Sequence, residues 1–160
     1  MPEWGAGAWA ELLVALEPMG PILLAMLLGG AIGFERELVN RPAGLRTHML
    51  LAGAAALFFT LADELVVHFG TDTYGELVRT DPIRVVEAVI TGVAFLGAGT
   101  IFRRGDGAQI TGLTTAASML FTAGISLACG LHRFVLAVAL TGLTVVVLRA
   151  VSMAERRWTD

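Results

Sequence analysis

The chain has 160 residues, 56% of them hydrophobic and 16% charged, with a formal net charge of −3. A soluble domain carries roughly 25% charged residues, so the composition excludes an ordinary water-facing surface, and the small negative charge argues against nucleic acid as a partner. A single cysteine, Cys129, excludes an intramolecular disulfide and any cysteine-based metal cluster.

A helix needs about 20 mostly apolar residues to cross the hydrocarbon core of a bilayer. Residues 1–17 carry Trp4, Trp9 and Glu11 in an apolar background. They read as an interfacial segment or an extension of the first span, because Trp prefers the headgroup level. No basic residue precedes the apolar stretch, so it does not read as a cleavable leader. The first span runs from Pro18 to Phe34 and stops at Glu35-Arg36-Glu37. Ala25, Gly29 and Gly33 share one face of it. Such a face serves close packing inside one chain, which is preferred here, or the seam of a homodimer. The second span runs from Thr47 to Phe69, with Thr47 placed to cap its start. The third runs from Ile83 to Phe102 after Asp81-Pro82, with Pro82 suited to a first helical turn. The fourth runs from about Leu113 to Gly130 and the fifth from about Phe134 to Met153. The third also carries Gly92, Gly97 and Gly99. Residues 18–153 thus read as an all-α, polytopic transmembrane bundle of about five spans, and residues 154–160 as a tail.

All 11 basic residues are Arg, and their placement gives an orientation. Seven lie on one side: Arg36, Arg41, Arg46, Arg103, Arg104, Arg156 and Arg157. Three lie on the other: Arg79, Arg84 and Arg133. Arg149 falls inside the last span. The excess puts the C-terminus inside and the N-terminus outside, which five spans require.

Charge inside a span is costly, roughly 2.5–3.5 kcal/mol at a helix centre, and needs a reason. Asp63, Glu64 and Glu87 are the candidates. Asp63 and Glu87 would form an acidic, outward-facing pocket suited to Mg²⁺, which uses one or two carboxylates and retained waters. The plainer alternative pairs Glu87 with Arg84 and leaves Asp63 and Glu64 in the headgroups. On the other side, Glu35, Arg36, Glu37, Arg41, Arg46, Thr47 and His48 crowd one short loop. They read either as a polar binding surface or as a salt-bridged loop that sets topology. His48, His68 and His132 are too scattered for a metal triad. The sequence holds no GxSxG, HExxH or phosphate-binding loop. Ser118, Ser126 and Ser152 have no evident base, so no enzyme is expected and no cofactor is certain.

Three ordered blocks carry a resemblance. The first is Gly33-Phe34-Glu35-Arg36-Glu37 followed by Arg41-Pro42-Ala43-Gly44-Leu45-Arg46-Thr47-His48-Met49-Leu50. The second is Asp81-Pro82-Ile83-Arg84 leading into Gly92-Val93-Ala94-Phe95-Leu96-Gly97-Ala98-Gly99-Thr100-Ile101. The third is Gly112-Leu113-Thr114-Thr115-Ala116-Ala117-Ser118. Together they resemble the MgtC/SapB membrane domain over roughly Leu24 to Arg149. Two positions depart from the family's usual pattern: Ala88 stands where Gln is frequent, and Leu120 where an aromatic is. Many members continue into a further domain, so this chain resembles the shorter, membrane-only form. The resemblance implies a multi-pass bacterial inner-membrane protein linked to magnesium limitation and, in pathogens, to survival inside host cells. It implies one of two roles. The first is an accessory or regulatory protein acting on other membrane proteins such as transport ATPases or the ATP synthase. The second is a carrier or channel for Mg²⁺ or another small solute.

Overall fold

The computed structural model describes residues 9, 11–13, 16–69, 81–103 and 110–159. Trp4, Arg79, Arg104 and the side chains of His68, Arg103, Arg156 and Arg157, all used in the sequence reading, lie outside what it describes. Five helices are delimited among the described residues, in order: α1 (Met19–Leu38), α2 (Leu45–Phe69), α3 (Pro82–Ala98), α4 (Leu113–Gly130) and α5 (Phe134–Thr159). Within α1, α2, α4 and α5, stretches of 18 to 21 residues are long and apolar enough to cross a membrane. Their outward faces carry large apolar side chains, such as Leu27, Phe58, Leu143 and Val146, each more than half exposed. In water such a surface would drive aggregation; against lipid chains it is the expected surface.

Helix α4 is central and packs against α1, α2, α3 and α5. Helix α1 packs on α2 and α5, while α3 lies on the flank formed by α2 and α4. The core between α1, α2, α4 and α5 is built from small or compact side chains, including Ala25, Ile32, Ala52, Ala56, Ile125 and Cys129. Backbones approach closely here because lipid supplies little hydrophobic drive between helices. Gly29 and Gly33 face α2. A Cβ on Gly29 would come within 2.6 Å of Ala52 Cβ and 2.7 Å of the His48 carbonyl oxygen. One on Gly33 would meet the Gly44 carbonyl oxygen and His48 Cβ at 2.8 Å. That face is therefore used inside the chain.

Element ends depart from the sequence reading in four places. The first span does not stop at Glu35. Helix α1 continues through Leu38 and closes with a Schellman turn, in which Asn40 (φ 53°) sits in the left-handed region. Arg41 N donates to the Arg36 carbonyl and Asn40 N to that of Glu37, both at 3.0 Å. Glu35 and Arg36 are thus drawn into the helix. Thr47 does not cap α2. The helix begins at Leu45, whose N–H donates to Glu37 Oε2 at 2.9 Å, and Thr47 is exposed. A carboxylate reaching back from α1 satisfies the donor that lipid would leave orphaned.

The third departure is at the end of α3. Helix α3 starts as expected, with Asp81 Oδ1 accepting from Ile83 N at 3.0 Å and Pro82 in the first turn. It ends at Ala98, not at Phe102, after 17 residues. That is about 25 Å of rise against roughly 30 Å of hydrocarbon, so α3 falls short of a full span, and where the sequence reading expects about five spans, four helices of spanning length stand among the described residues. The chain beyond it stays hydrogen-bonded. Thr100 N and Oγ1 both donate to the Gly97 carbonyl, and Ile101 N donates to that of Ala98. A two-residue antiparallel ladder then pairs Phe102 with Thr111 and Arg103 with Ile110. Gly112 (φ 95°) leads into α4, where a side chain would overlap the Thr100 carbonyl. The fourth span matches its expected bounds, and the fifth continues past Met153 to Thr159.

Candidate functional site

One end of the bundle gathers the C-terminal turn of α1, the first turns of α2 and α4, and a row of hydroxyls along α4. Thr115, Ser118, Thr122 and Ser126 recur at spacings of three and four, so they share one face of α4. All four are buried. Thr122 approaches α1, its Cγ2 lying 3.2 Å from where a Gly29 Cβ would stand. The two helices run in opposite directions, so equal rise places Arg36 level with Thr115 and Gly33 level with Ser118.

His48 joins α2 to α4 at that level and is fully buried. Its Nδ1 lies 3.0 Å from the Gly44 carbonyl and its Nε2 3.1 Å from Ser118 Oγ. A carbonyl only accepts, so Nδ1 carries the proton, and in the neutral ring Nε2 accepts from the serine. The serine hydroxyl is shared with the Thr115 carbonyl at 2.8 Å. The expectation that Ser118 has no base nearby is corrected here: His48, 70 residues away in sequence, is its partner. The orienting position on Nδ1 is taken by a backbone carbonyl and not by a carboxylate, so the pair braces two helices together.

Glu35 and Arg36 form an ion pair, Arg36 Nε to Glu35 Oε2 at 2.6 Å, with side chains only 3% exposed. It is the one ion pair among the described residues. The loop charges therefore do not act as a single cluster. Glu35, Arg36 and His48 are interior, whereas Glu37, Arg41, Arg46 and Thr47 are exposed. Thr115 Oγ1 is buried without a hydrogen-bond partner, and among native buried polar atoms that is uncommon. Above this level the α4 hydroxyls turn back on their own helix, with Thr122 donating to the Ser118 carbonyl and Ser126 to that of Thr122, each at 2.8 Å.

The other candidates lie elsewhere. Asp63, Glu64 and Glu87 are exposed, and Glu87 makes no ion pair with Arg84 among the described residues. A groove of about 620 Å³ separates α2 from α3 and is lined by Ala62, Ala88 and Gly92 among other apolar residues, with Arg84 at one end. Neither Asp63 nor Glu87 lines it. No group of three or more His, Cys, Asp or Glu is gathered among the described residues. Asp81 is a helix cap, Gly97 seats α3 against Ala116, whose Cβ would lie 3.2 Å from a Cβ added at Gly97, and Gly92 has open space beside it. Gly99 closes the end of α3, and Thr114 is exposed on the first turn of α4. Thr122 was passed over by the sequence reasoning, and Ser118 was weighed there only as a nucleophile. Their signal was the three- and four-residue spacing of hydroxyls inside an apolar span.

A helical bundle with an apolar outer surface and a buried polar joint at one end defines a multi-pass membrane protein. The MgtC family model matches residues 22–157, and the chain belongs to that family. It is 38% identical over 135 residues to an uncharacterised protein of Haemophilus influenzae, covering 84% of this chain and 56% of that one. It is 39% identical over 129 residues to an Escherichia coli K12 protein named "Putative magnesium transporter YhiD", covering 79% and 57%. It is 40% identical over 120 residues to Protein MgtC of Salmonella typhimurium LT2, covering 75% and 46%. The chain thus spans about half the length of the curated relatives it matches. No solved structure matches it.

Proposed function

We propose that this protein is an accessory or regulatory component of magnesium homeostasis in the bacterial inner membrane, serving adaptation to low Mg²⁺ and, in a pathogen, survival inside host cells. The family and the name of the Escherichia coli relative support the magnesium link. The observation that carries the regulatory reading over transport is the state of the interior hydroxyls. Thr122 and Ser126 have no exposed surface and are bonded to carbonyls of their own helix. A hydrated divalent cation gives up its waters reluctantly and needs several oxygens facing a wet path. Interior hydroxyls here turn onto their own backbone, and Ser118 alone among them bonds across to another helix, through His48. The motif end then faces the cytoplasm, where the exposed Arg41, Arg46 and Glu37 present a surface to a membrane partner such as a transport ATPase or the ATP synthase. No catalysis is assigned. The test is ion flux into proteoliposomes that contain this protein alone. The expected result is no Mg²⁺ uptake above empty vesicles; protein-dependent uptake would overturn the reading in favour of a carrier.

A further inference from the structure

At the motif end, outside the His48 joint, an open cavity of about 260 Å³ lies between the last turn of α1 and the C-terminal half of α5. Its walls are Glu35, Leu38, Val39, Arg149, Ser152 and Met153. Three of these are polar and stand in a definite order. Arg149 and Ser152 are three residues apart on α5 and so share a face. Glu35 stands opposite, on α1, and only one of its oxygens is engaged, by Arg36 Nε. A carboxylate has roughly four lone-pair sites, and no other described residue donates to Glu35. The remaining walls, Leu38, Val39 and Met153, are apolar, and the first and last are more than half exposed toward the surroundings.

Arg149 sits inside the apolar stretch Phe134–Met153, about 6 Å short of its end. Arg149 is exposed, and from that depth its guanidinium reaches the headgroup level; no described carboxylate lies within ion-pair distance of it. We propose that this cavity binds the phosphoethanolamine headgroup of a membrane phospholipid. The phosphate ester sits on Arg149 and Ser152, and the primary ammonium donates to the open oxygen of Glu35. An Arg fork with an adjacent hydroxyl suits a phosphate. A buried carboxylate whose neighbouring Arg already neutralises part of its charge suits a hydrogen-bonding ammonium. The apolar rim and the depth favour a lipid over a water-soluble ester of the same chemistry, because the acyl chains would lie along α1 and α5.

The chemistry gives a discriminating comparison. Phosphatidylcholine has the same phosphate and the same charge, but its nitrogen carries no N–H. Phosphatidylglycerol keeps the phosphate and lacks the ammonium. The full chain is purified in detergent and titrated with each lipid while its thermal unfolding midpoint is followed. Phosphatidylethanolamine should bind about tenfold more tightly than phosphatidylcholine, the worth of one charge-assisted hydrogen bond. Arg149→Gln should abolish the response to both phosphatidylethanolamine and phosphatidylglycerol. Glu35→Gln should remove only the advantage of ethanolamine over choline. Because that advantage is a ratio within one protein, a lower basal midpoint does not disturb it. Ser152→Ala, a lighter change, should weaken phosphatidylethanolamine and phosphatidylglycerol equally. Identical responses to ethanolamine and choline lipids would overturn the assignment. Stabilisation by free phosphoethanolamine at equal concentration would overturn its lipid source. Disulfide-linked dimers from Ser152→Cys, with no lipid preference, would give the cavity to a second copy instead.

Discussion

The contact of α1 with α2 and α4 and the contact of α2 with α3 are built on opposite terms. In the first, two glycines bring backbones within van der Waals distance, a histidine bridges two helices, and an ion pair is almost wholly buried. In the second, an open groove remains, a Cβ added at Gly92 would meet nothing within 4 Å, and the carboxylates stand exposed. Both regions are dense in motif residues. The difference separates motif positions that hold the bundle together from motif positions that merely lie on it. In lipid, where apolar contact alone does not hold helices together, the closed region is where the fold is specified.

The largest effect expected from breaking this contrast is at the ion pair. Removing one member of a buried pair costs about 3–5 kcal/mol, because the other charge is left uncompensated. Glu35→Ala should therefore lower the unfolding midpoint sharply, while Glu35→Leu combined with Arg36→Met should recover much of the loss. Thermal unfolding of the three variants in one detergent checks it. A double variant as unstable as the single one would show that the charges have further partners. The exposed Arg46→Lys should leave stability unchanged and, if it meets a partner's carboxylate, reduce growth in low magnesium through loss of the planar fork. Normal growth of that strain would remove Arg46 from the partner surface.

Next in size is the pair of glycines that differ only in surroundings. Gly33→Ala places a methyl 2.8 Å from the Gly44 carbonyl oxygen and His48 Cβ, with Leu45 Cα at 2.9 Å. Two of these neighbours are backbone and cannot yield cheaply, so a cost of about 1–3 kcal/mol is expected. Gly92→Ala meets nothing within 4 Å, and a helical Ala is favoured over Gly by roughly 0.5–1 kcal/mol. The two substitutions should shift the midpoint in opposite directions. Shifts of the same sign would mean that the groove side of α3 is covered by something packed as tightly as α2 packs on α1.

What the sequence made legible follows the same division. Hydropathy located α4 to the residue and α1, α2 and α5 to within a few residues at their starts, because the membrane's thickness imposes one length on every crossing. The Gly29–Gly33 spacing announced a close contact, and Asp81-Pro82 announced a helix start. The charge-rich loop was misjudged in its interior. A charge normally ends a span, so Glu35 and Arg36 looked like its boundary. Only the Schellman turn at Asn40 reveals that the helix winds on and buries them. The His48–Ser118 bond was invisible because it joins residues 70 positions apart. No periodicity encodes a contact between two helices. The end of α3 was overrun because Gly99, Thr100 and Ile101 are apolar or small enough to read as span, while their backbone turns away into a hairpin.

The smallest effect expected concerns Glu87, on the open side. Its side chain is exposed, it forms no ion pair among the described residues, and its backbone carbonyl accepts from Thr91 Oγ1 at 2.7 Å. A helix carbonyl keeps that bond whatever the side chain is, so Glu87→Gln should leave the basal midpoint nearly unchanged. The informative quantity is the response to Mg²⁺. A ligand bound only by the folded state stabilises by RT ln(1 + [L]/Kd), about 2.7 kcal/mol at a hundredfold excess over Kd. A Mg²⁺ site relies on one or two carboxylates, so loss of one would cut such a gain steeply. If Asp63 and Glu87 act separately, as their exposure suggests, the wild type and Glu87→Gln should give superimposable midpoints across a Mg²⁺ titration, with Ca²⁺ and ionic strength as controls. A Mg²⁺-specific rise that Glu87→Gln or Asp63→Asn erases would instead place a divalent site on the open wall of the bundle. The region that looks unfinished would then be the one that senses the ion, and the closed joint at the motif end the part that relays it.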